Sequence, residues 1–261
     1  MHRSLSVPGA TPVKVIVNAD DFGMNAQETD AICEGLAAGR INSATVMANG
    51  GALDQVLQNQ HLFPGCSFGA HLNLTYGVPV SMGPGVKLLV DHNGRMSRAV
   101  FNRLRPTLPV CRAIYEEWRA QIELLFSKGI KIGHLDSHNH VHTTPLVFPA
   151  LKAVQKRFGI RRVRISKNIY SEAQPCSALL KVQKGVYNSA LRSLYATRTT
   201  SGFTDLITFC EVARGGRMRH RTVEVMIHPK SKGGEAEDAL LYTDWENTLP
   251  FPIVTLPYDR L

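Results

Sequence analysis

A chain of 261 residues, 44% of them hydrophobic, is long enough to build one large core without disulfide support. Its five cysteines (Cys33, Cys66, Cys111, Cys176, Cys210) are odd in number and widely spaced, with no C-x-x-C, which excludes a disulfide framework or a zinc knuckle. The net charge of +9 is uneven: between Lys152 and Arg221 there are fifteen Lys/Arg against three acidic residues, Glu172, Asp205 and Glu211. Such a surplus suits an anionic partner, and it is equally what a solvated helix face presents.

The start, MHRSLSVPGATP, has no apolar h-region, and no run reaches the roughly 18 apolar residues of a membrane span. The expectation is a cytoplasmic protein with a flexible lead-in over residues 1–12 and a single domain over 13–261. Val13–Val17 reads as a strand, and Gln27–Ala38 as a helix stopped by Gly39. Ala44–Ala48 is a strand, Leu53–Leu62 helical, and Ser67–Leu74 a strand again. The Gly/Pro-rich stretch Gly77–Asn93 reads as a long functional loop or lid. Cys111–Ser127 predicts an amphipathic helix with Ile114, Trp118, Ile122 and Leu125 on one stripe. A strand over Ile130–Leu135, a helix over Pro145–Phe158 and a strand over Arg162–Ile165 follow. A long basic helix is expected over Ala178–Thr197, then short strands at Leu206–Phe209, Val223–Ile227 and Ile253–Leu256. Repeated strand–helix alternation implies a mainly parallel sheet covered by helices. A TIM-barrel-like (β/α) barrel is favoured over a doubly wound open sheet.

Metal-ligand residue types fall at the ends of these strands. Asp20 and Asp21 follow VIVN, His71 follows FGA, the run His134-Leu-Asp136-Ser-His138-Asn-His140-Val-His142 begins as KIG ends, and His228 follows VEVMI. In parallel α/β folds the carboxyl edge of the sheet is where catalytic groups converge. A catalytic divalent ion takes about three His and Asp/Glu ligands and keeps positions open. It acidifies water and polarises a carbonyl, while a separate carboxylate takes the water proton and a separate His protonates the leaving group. Neighbouring Asp20 and Asp21 point to opposite faces while the strand stays extended, so both serve one site only if the strand is ending there. The alternating residues from His134 to His142 share one face for as long as the backbone is extended. The plainer alternatives are a strand-end turn at Asp20-Asp21, a satisfied core histidine at His71 and a surface histidine tract.

Four blocks, Asn18-Ala-Asp-Asp-Phe-Gly23, Ala70-His-Leu-Asn-Leu-Thr75, His134-Leu-Asp-Ser-His-Asn-His-Val-His142 and Glu224-Val-Met-Ile-His-Pro229, resemble the signature blocks of the YdjC family of carbohydrate deacetylases, in the family's order. That family includes chitooligosaccharide deacetylase and hopanoid-associated deacetylases. The resemblance implies a distorted (β/α) barrel and removal of an acetyl group from an N-acetylated sugar. By position it implies Asp21, His71 and His138 as metal ligands, Asp20 as base and His228 as general acid. Magnesium is the family's usual ion; a His₂Asp set also suits zinc or manganese. Family members are often homodimers.

On these grounds Asp136, His134, His140 and His142 are expected to support the ligands or touch substrate. The basic 152–221 region suggests a phosphate-bearing or lipid-linked amino sugar. A metal-dependent phosphoesterase is the rival reading, with Arg164 and Lys167 as its strand-end cations. Nucleic acid is not an expected partner, since no recognition motif for it occurs.

Overall fold

The computed structural model describes residues 11–261, so nearly all of the expected lead-in lies outside the described residues. Eight strands form one parallel sheet: β1 (Val13–Phe22), β2 (Ser43–Val46), β3 (Ser67–Leu72), β4 (Ile132–Ser137), β5 (Arg162–Val163), β6 (Gly202–Asp205), β7 (Thr222–Ile227) and β8 (Ile253–Thr255). Seven run in the order β5-β4-β3-β2-β1-β7-β6, and β8 pairs with the start of β1. The sheet curls until its edges meet. Val163 N–H donates to Arg198 O at 3.1 Å and Asn168 N–H to Phe203 O at 3.3 Å, so an irregular segment joins the β5 and β6 edges. The result is a distorted α/β barrel, as the family resemblance implies, and its parallel sheet with covering helices is what the strand–helix alternation predicts.

The helices are α1 (Ala26–Ala37), α2 (Leu53–Asn59), α3 (Arg98–Phe101), α4 (Leu108–Ser127), α5 (Phe148–Phe158), α6 (Ala178–Ser193), α7 (Leu206–Arg214) and α8 (Glu235–Leu241). The strands are buried on both faces, as parallel strands flanked by helices must be. In α4 the Thr107 side chain accepts from Val110 N–H, and Ile114, Trp118, Ile122 and Leu125 form the expected buried stripe. Glycine in the left-handed region closes α5 at Gly159, where φ is 71°.

One expected strand is a helix. Leu206–Phe209 forms the first turn of α7, and β6 lies just before it. Asp205 decides the matter: its Oδ1 accepts from Thr208 N–H at 2.8 Å, which is an N-cap. Apolar periodicity cannot separate a buried strand from a buried helix over four residues.

The Gly77–Asn93 stretch contains a 3₁₀ turn at Pro84–Leu88 and is pinned to the barrel. Buried Glu117 of α4 accepts from Val80 N–H and Ser81 N–H, both at 2.9 Å, and from the Ser81 hydroxyl at 2.6 Å. Among the described residues no helix is long and apolar enough to cross a membrane. All five cysteines are unpaired.

Candidate metal centre and active site

The site begins with a break in β1. Regular pleating would send Asp20 and Asp21 to opposite faces. Instead Asp21 takes φ +63°, and the pairing of β1 with β2 shifts register between Ala19 and Phe22. A non-glycine residue in the left-handed region is strained, and such strain concentrates where a side chain must be re-aimed. Here it delivers both carboxylates to one end of the barrel.

Asp21 Oδ1 lies 3.1 Å from His71 Nε2 and 2.7 Å from His138 Nδ1. These three residues offer donor atoms within 4.8 Å of one another, on β1, on β3 and just past β4. On its other side His71 Nδ1 meets Asp136 Oδ1 at 2.8 Å, and Asp136 Oδ2 accepts from the Thr45 hydroxyl at 3.0 Å. A carboxylate on Nδ1 fixes the ring so that Nε2 faces Asp21, the arrangement that raises a histidine's strength as a ligand. Burial by itself would lower the His71 pKa, but the Asp136 and Asp21 carboxylates outweigh it and raise the imidazole well above its ordinary value. Burial would likewise raise Asp21, and hydrogen bonds from His138 and His71 hold it below the usual carboxylate range instead. One hard carboxylate oxygen and two imidazole nitrogens fit a divalent cation.

Beside this cluster, Asp20 is gripped by Arg164. The guanidinium donates through Nη1 to Asp20 Oδ2 and through Nη2 to Oδ1, both at 2.6 Å. It also meets Asp136 Oδ2 at 2.8 Å and donates through Nε to Glu224 Oε1 at 2.7 Å. All four residues are buried. Burial pushes the Asp20 carboxyl up, yet Arg164 overrides it, so Asp20 stays ionised well below the usual range. His228, just past β7, places Nε2 3.8 Å from Asp20 Oδ2 with its side chain 32% exposed. It stands on the open side of the site.

The histidine run splits after Ser137. His134 sits inside β4 and not at its end; it stacks on Tyr258 at 3.9 Å with 6° between the rings. Asp136 and His138 keep the alternation and reach the centre. Asn139 and His140 then turn left-handed, with φ of 54° and 55°, so the shared face expected through His142 ends at His138. His140 packs edge-on to Phe203, with ring centroids 5.6 Å apart. His142 is fully buried: Ser137 Oγ lies 2.6 Å from its Nδ1, and its Nε2 is 3.2 Å from Arg164 O. Ser137 Oγ already accepts from His142 N–H, so the hydroxyl donates to Nδ1 and Nε2–H donates to the Arg164 carbonyl. His142 thus fixes the backbone under Arg164.

A model of the YdjC-like protein family matches residues 14–247. The chain belongs to the YdjC-like family. A carbohydrate deacetylase of Listeria monocytogenes serotype 4a (strain HCC23) is 34% identical over 151 residues, 57% of this chain and 59% of that protein. The matched part therefore spans less than two thirds of the Listeria protein. A chitooligosaccharide deacetylase of Klebsiella pneumoniae (strain 342) is 30% identical over 220 residues, covering 82% of this chain and 81% of that one. Among solved structures, an Enterococcus faecalis V583 protein, provisionally assigned as a cellobiose-phosphate cleavage protein, superposes with a TM-score of 0.75. It is 20% identical and covers 96% of this chain and 99% of its own, so the likeness is one of fold.

Within this YdjC-like chain, the roles of Arg164 and Tyr258 are what sequence reading missed. Arg164 drew attention only as a phosphate ligand. The available signal was weak: Arg164 stands between the apolar Val163 and Ile165, where a buried charge must be paired, but Arg161, Arg162 and Lys167 around it make the segment read as a basic surface. The second geometrically close set, Asp20, His71 and Asp136, shares His71 with the first and already holds the Arg164 guanidinium between its carboxylates.

Proposed function

We propose that this chain is a metal-dependent carbohydrate deacetylase that hydrolyses the N-acetyl group of an amino sugar. The observation that carries the reading is the Asp21–His71–His138 cluster with the ionised Asp20 beside it. The names of the Listeria and Klebsiella relatives support the substrate class.

Asp21, His71 and His138 would hold the ion, with magnesium the first expectation and zinc or manganese equally suited to the ligand types. A divalent ion there supplies the acidification of water and the polarisation of the amide carbonyl that this hydrolysis needs. Asp20 would accept the proton of the attacking water, a role supported by the Arg164 fork that keeps it ionised and aimed. His228 would protonate the departing amine, a role supported by its partial exposure beside Asp20. Asp136 orients His71, and Thr45 orients Asp136. His134 and His142 lie beneath the site and support its walls.

The test is acetate release from a panel of N-acetylated sugars, with and without chelator, for wild type and His138→Ala. Chelator-sensitive release that the variant loses is the expected result. Phosphate release from phosphorylated sugars with no acetate would replace the reading with the phosphoesterase one. That rival is disfavoured because both of its cations are engaged: Arg164 by three carboxylates, and Lys167 by Asp205 at 2.7 Å.

A further inference from the structure

Two routes run from Asp20 into the barrel and end on the same residue, one by hydrogen bonds throughout and one that closes with a ring stack. In the first, Arg164 grips Asp20 and donates through Nε to Glu224 Oε1 at 2.7 Å, while the Tyr258 hydroxyl donates to Glu224 Oε2 at 2.9 Å. In the second, Asn18 Nδ2 donates to Asp20 Oδ1 at 3.0 Å, and Asn18 Oδ1 lies 3.1 Å from His134 Nε2. Asn18 Oδ1 can only accept, so His134 carries its proton on Nε2. The His134 ring then lies flat on Tyr258. Tyr258 belongs to the segment after residue 247, outside the part matched by the family model. It is fully buried, and its segment is tied down by Arg162, which donates through Nη2 to Asp259 O at 2.5 Å.

A phenylalanine would stack on His134 equally well, so the hydroxyl needs its own explanation. Burying an O–H is costly unless it is bonded, and here its one acceptor is the oxygen of Glu224 that Arg164 leaves free. Holding both oxygens fixes the carboxylate plane, and that plane sets the tilt of the guanidinium. We propose that Tyr258 is a positioning residue of the catalytic site: its hydroxyl locks Glu224, and through Glu224 the Arg164 fork that aims Asp20. This rests on the proposed deacetylase reading, in which Asp20 is the base. Burial supports it by pushing the Tyr258 phenol well above its ordinary value, so the group remains an O–H donor.

The experiment compares Tyr258→Phe with wild type in the full metal-loaded chain, on a sugar that wild type hydrolyses. The steady-state constants and the thermal midpoint are read together. Loss of one aligning hydrogen bond should lower kcat roughly tenfold and leave KM within about twofold. Because Glu224 Oε2 then keeps no donor, the midpoint should fall by roughly a few degrees while the chain still folds, and Tyr258→Leu, which also loses the ring stack, should fall further in both kcat and midpoint. Wild-type kcat in Tyr258→Phe would overturn the inference and leave the deacetylase reading standing. So would a Tyr258→Phe protein that fails to fold, because the hydroxyl would then be a structural group. A wild-type chain releasing no acetate from any sugar would defeat the function itself, and this inference with it.

Discussion

Asp20 and Arg164 show how a buried charge is kept useful. Three carboxylates, Asp20, Asp136 and Glu224, converge on one guanidinium that is itself fully buried. Breaking such a set by removing one partner leaves uncompensated charge in low dielectric. Arg164→Met should therefore cost about 3–5 kcal/mol of folding stability. Urea unfolding checks this, and an unchanged midpoint would mean that solvent reaches the carboxylates. Asp20→Asn asks a different question, because the amide keeps the shape and loses the base. On the proposed mechanism it should still bind metal, while kcat falls about 10²–10⁴-fold. Calorimetric titration with the metal and acetate release together separate the two effects, and full activity in Asp20→Asn would remove the base assignment.

At the scale of elements, strand ends and close approaches place the groups. Gly69 of β3 lies opposite His134 of β4, and a Cβ there would come within 2.6 Å of the His134 ring. The ring crosses the neighbouring strand only because no side chain stands in its way. Gly69→Ala should cost about 1–3 kcal/mol by overpacking and should lift His134 off Tyr258, visible as a changed tyrosine signal in near-ultraviolet circular dichroism. The 77–93 stretch is a second case. Its composition reads as a long functional loop or lid, and Glu117 ties it down through Val80 and Ser81. Glu117→Ala removes the anchor of those half-buried donors, so the stretch should become cleavable by trypsin at Lys87 while the barrel stays folded. Equal protection in both proteins would show that other contacts hold it. Helix α6 is the opposite kind of element: Leu179, Val182 and Val186 are 70%, 62% and 66% exposed, and only Asn188 and Leu191 of the helix are buried.

For the whole molecule, burial of neutral histidines links stability to pH. Burial holds His134 and His142 well below the ordinary histidine value, aided by nearby cationic groups. In the unfolded chain they titrate near pH 6.5. The folded state thus binds fewer protons than the unfolded one as pH drops below that point. Their contribution is fully present above about pH 6.5 and is lost as pH falls toward the lowered folded values. The chelated protein should melt at a lower temperature at pH 5.5 than at pH 8, and His142→Gln should narrow the gap. An equal gap in the variant would remove His142 from the account and leave the acid sensitivity to His134 and the carboxylates. The basic region also looks different in three dimensions. Lys152 caps the carbonyls of Leu191 and Leu194, and Arg164 holds the site, so part of the surplus is structural and not a surface for an anion.

The family resemblance implied the distorted barrel and the choice of Asp21, His71 and His138 as ligands; sequence by itself determined the period of the elements, the mainly parallel sheet and the strand ends that carry Asp20, Asp21, His71, the His134–His142 run and His228. Those follow from local rules: apolar periodicity, strand–helix alternation and the gathering of ligand-type residues at one edge. It misread Leu206–Phe209, where a single cap outweighed an apolar run, and it extended the His134–His142 face past the turn at Asn139. Only the tertiary structure decided how Asp20 and Asp21 come to share a site, because a left-handed residue inside a strand leaves no periodic trace. It alone joined Arg164, Glu224 and Tyr258, which stand 60 and 34 positions apart along the chain. Pairing of buried charges is a long-range energetic requirement; sequence shows that a partner is needed, and the fold chooses which one.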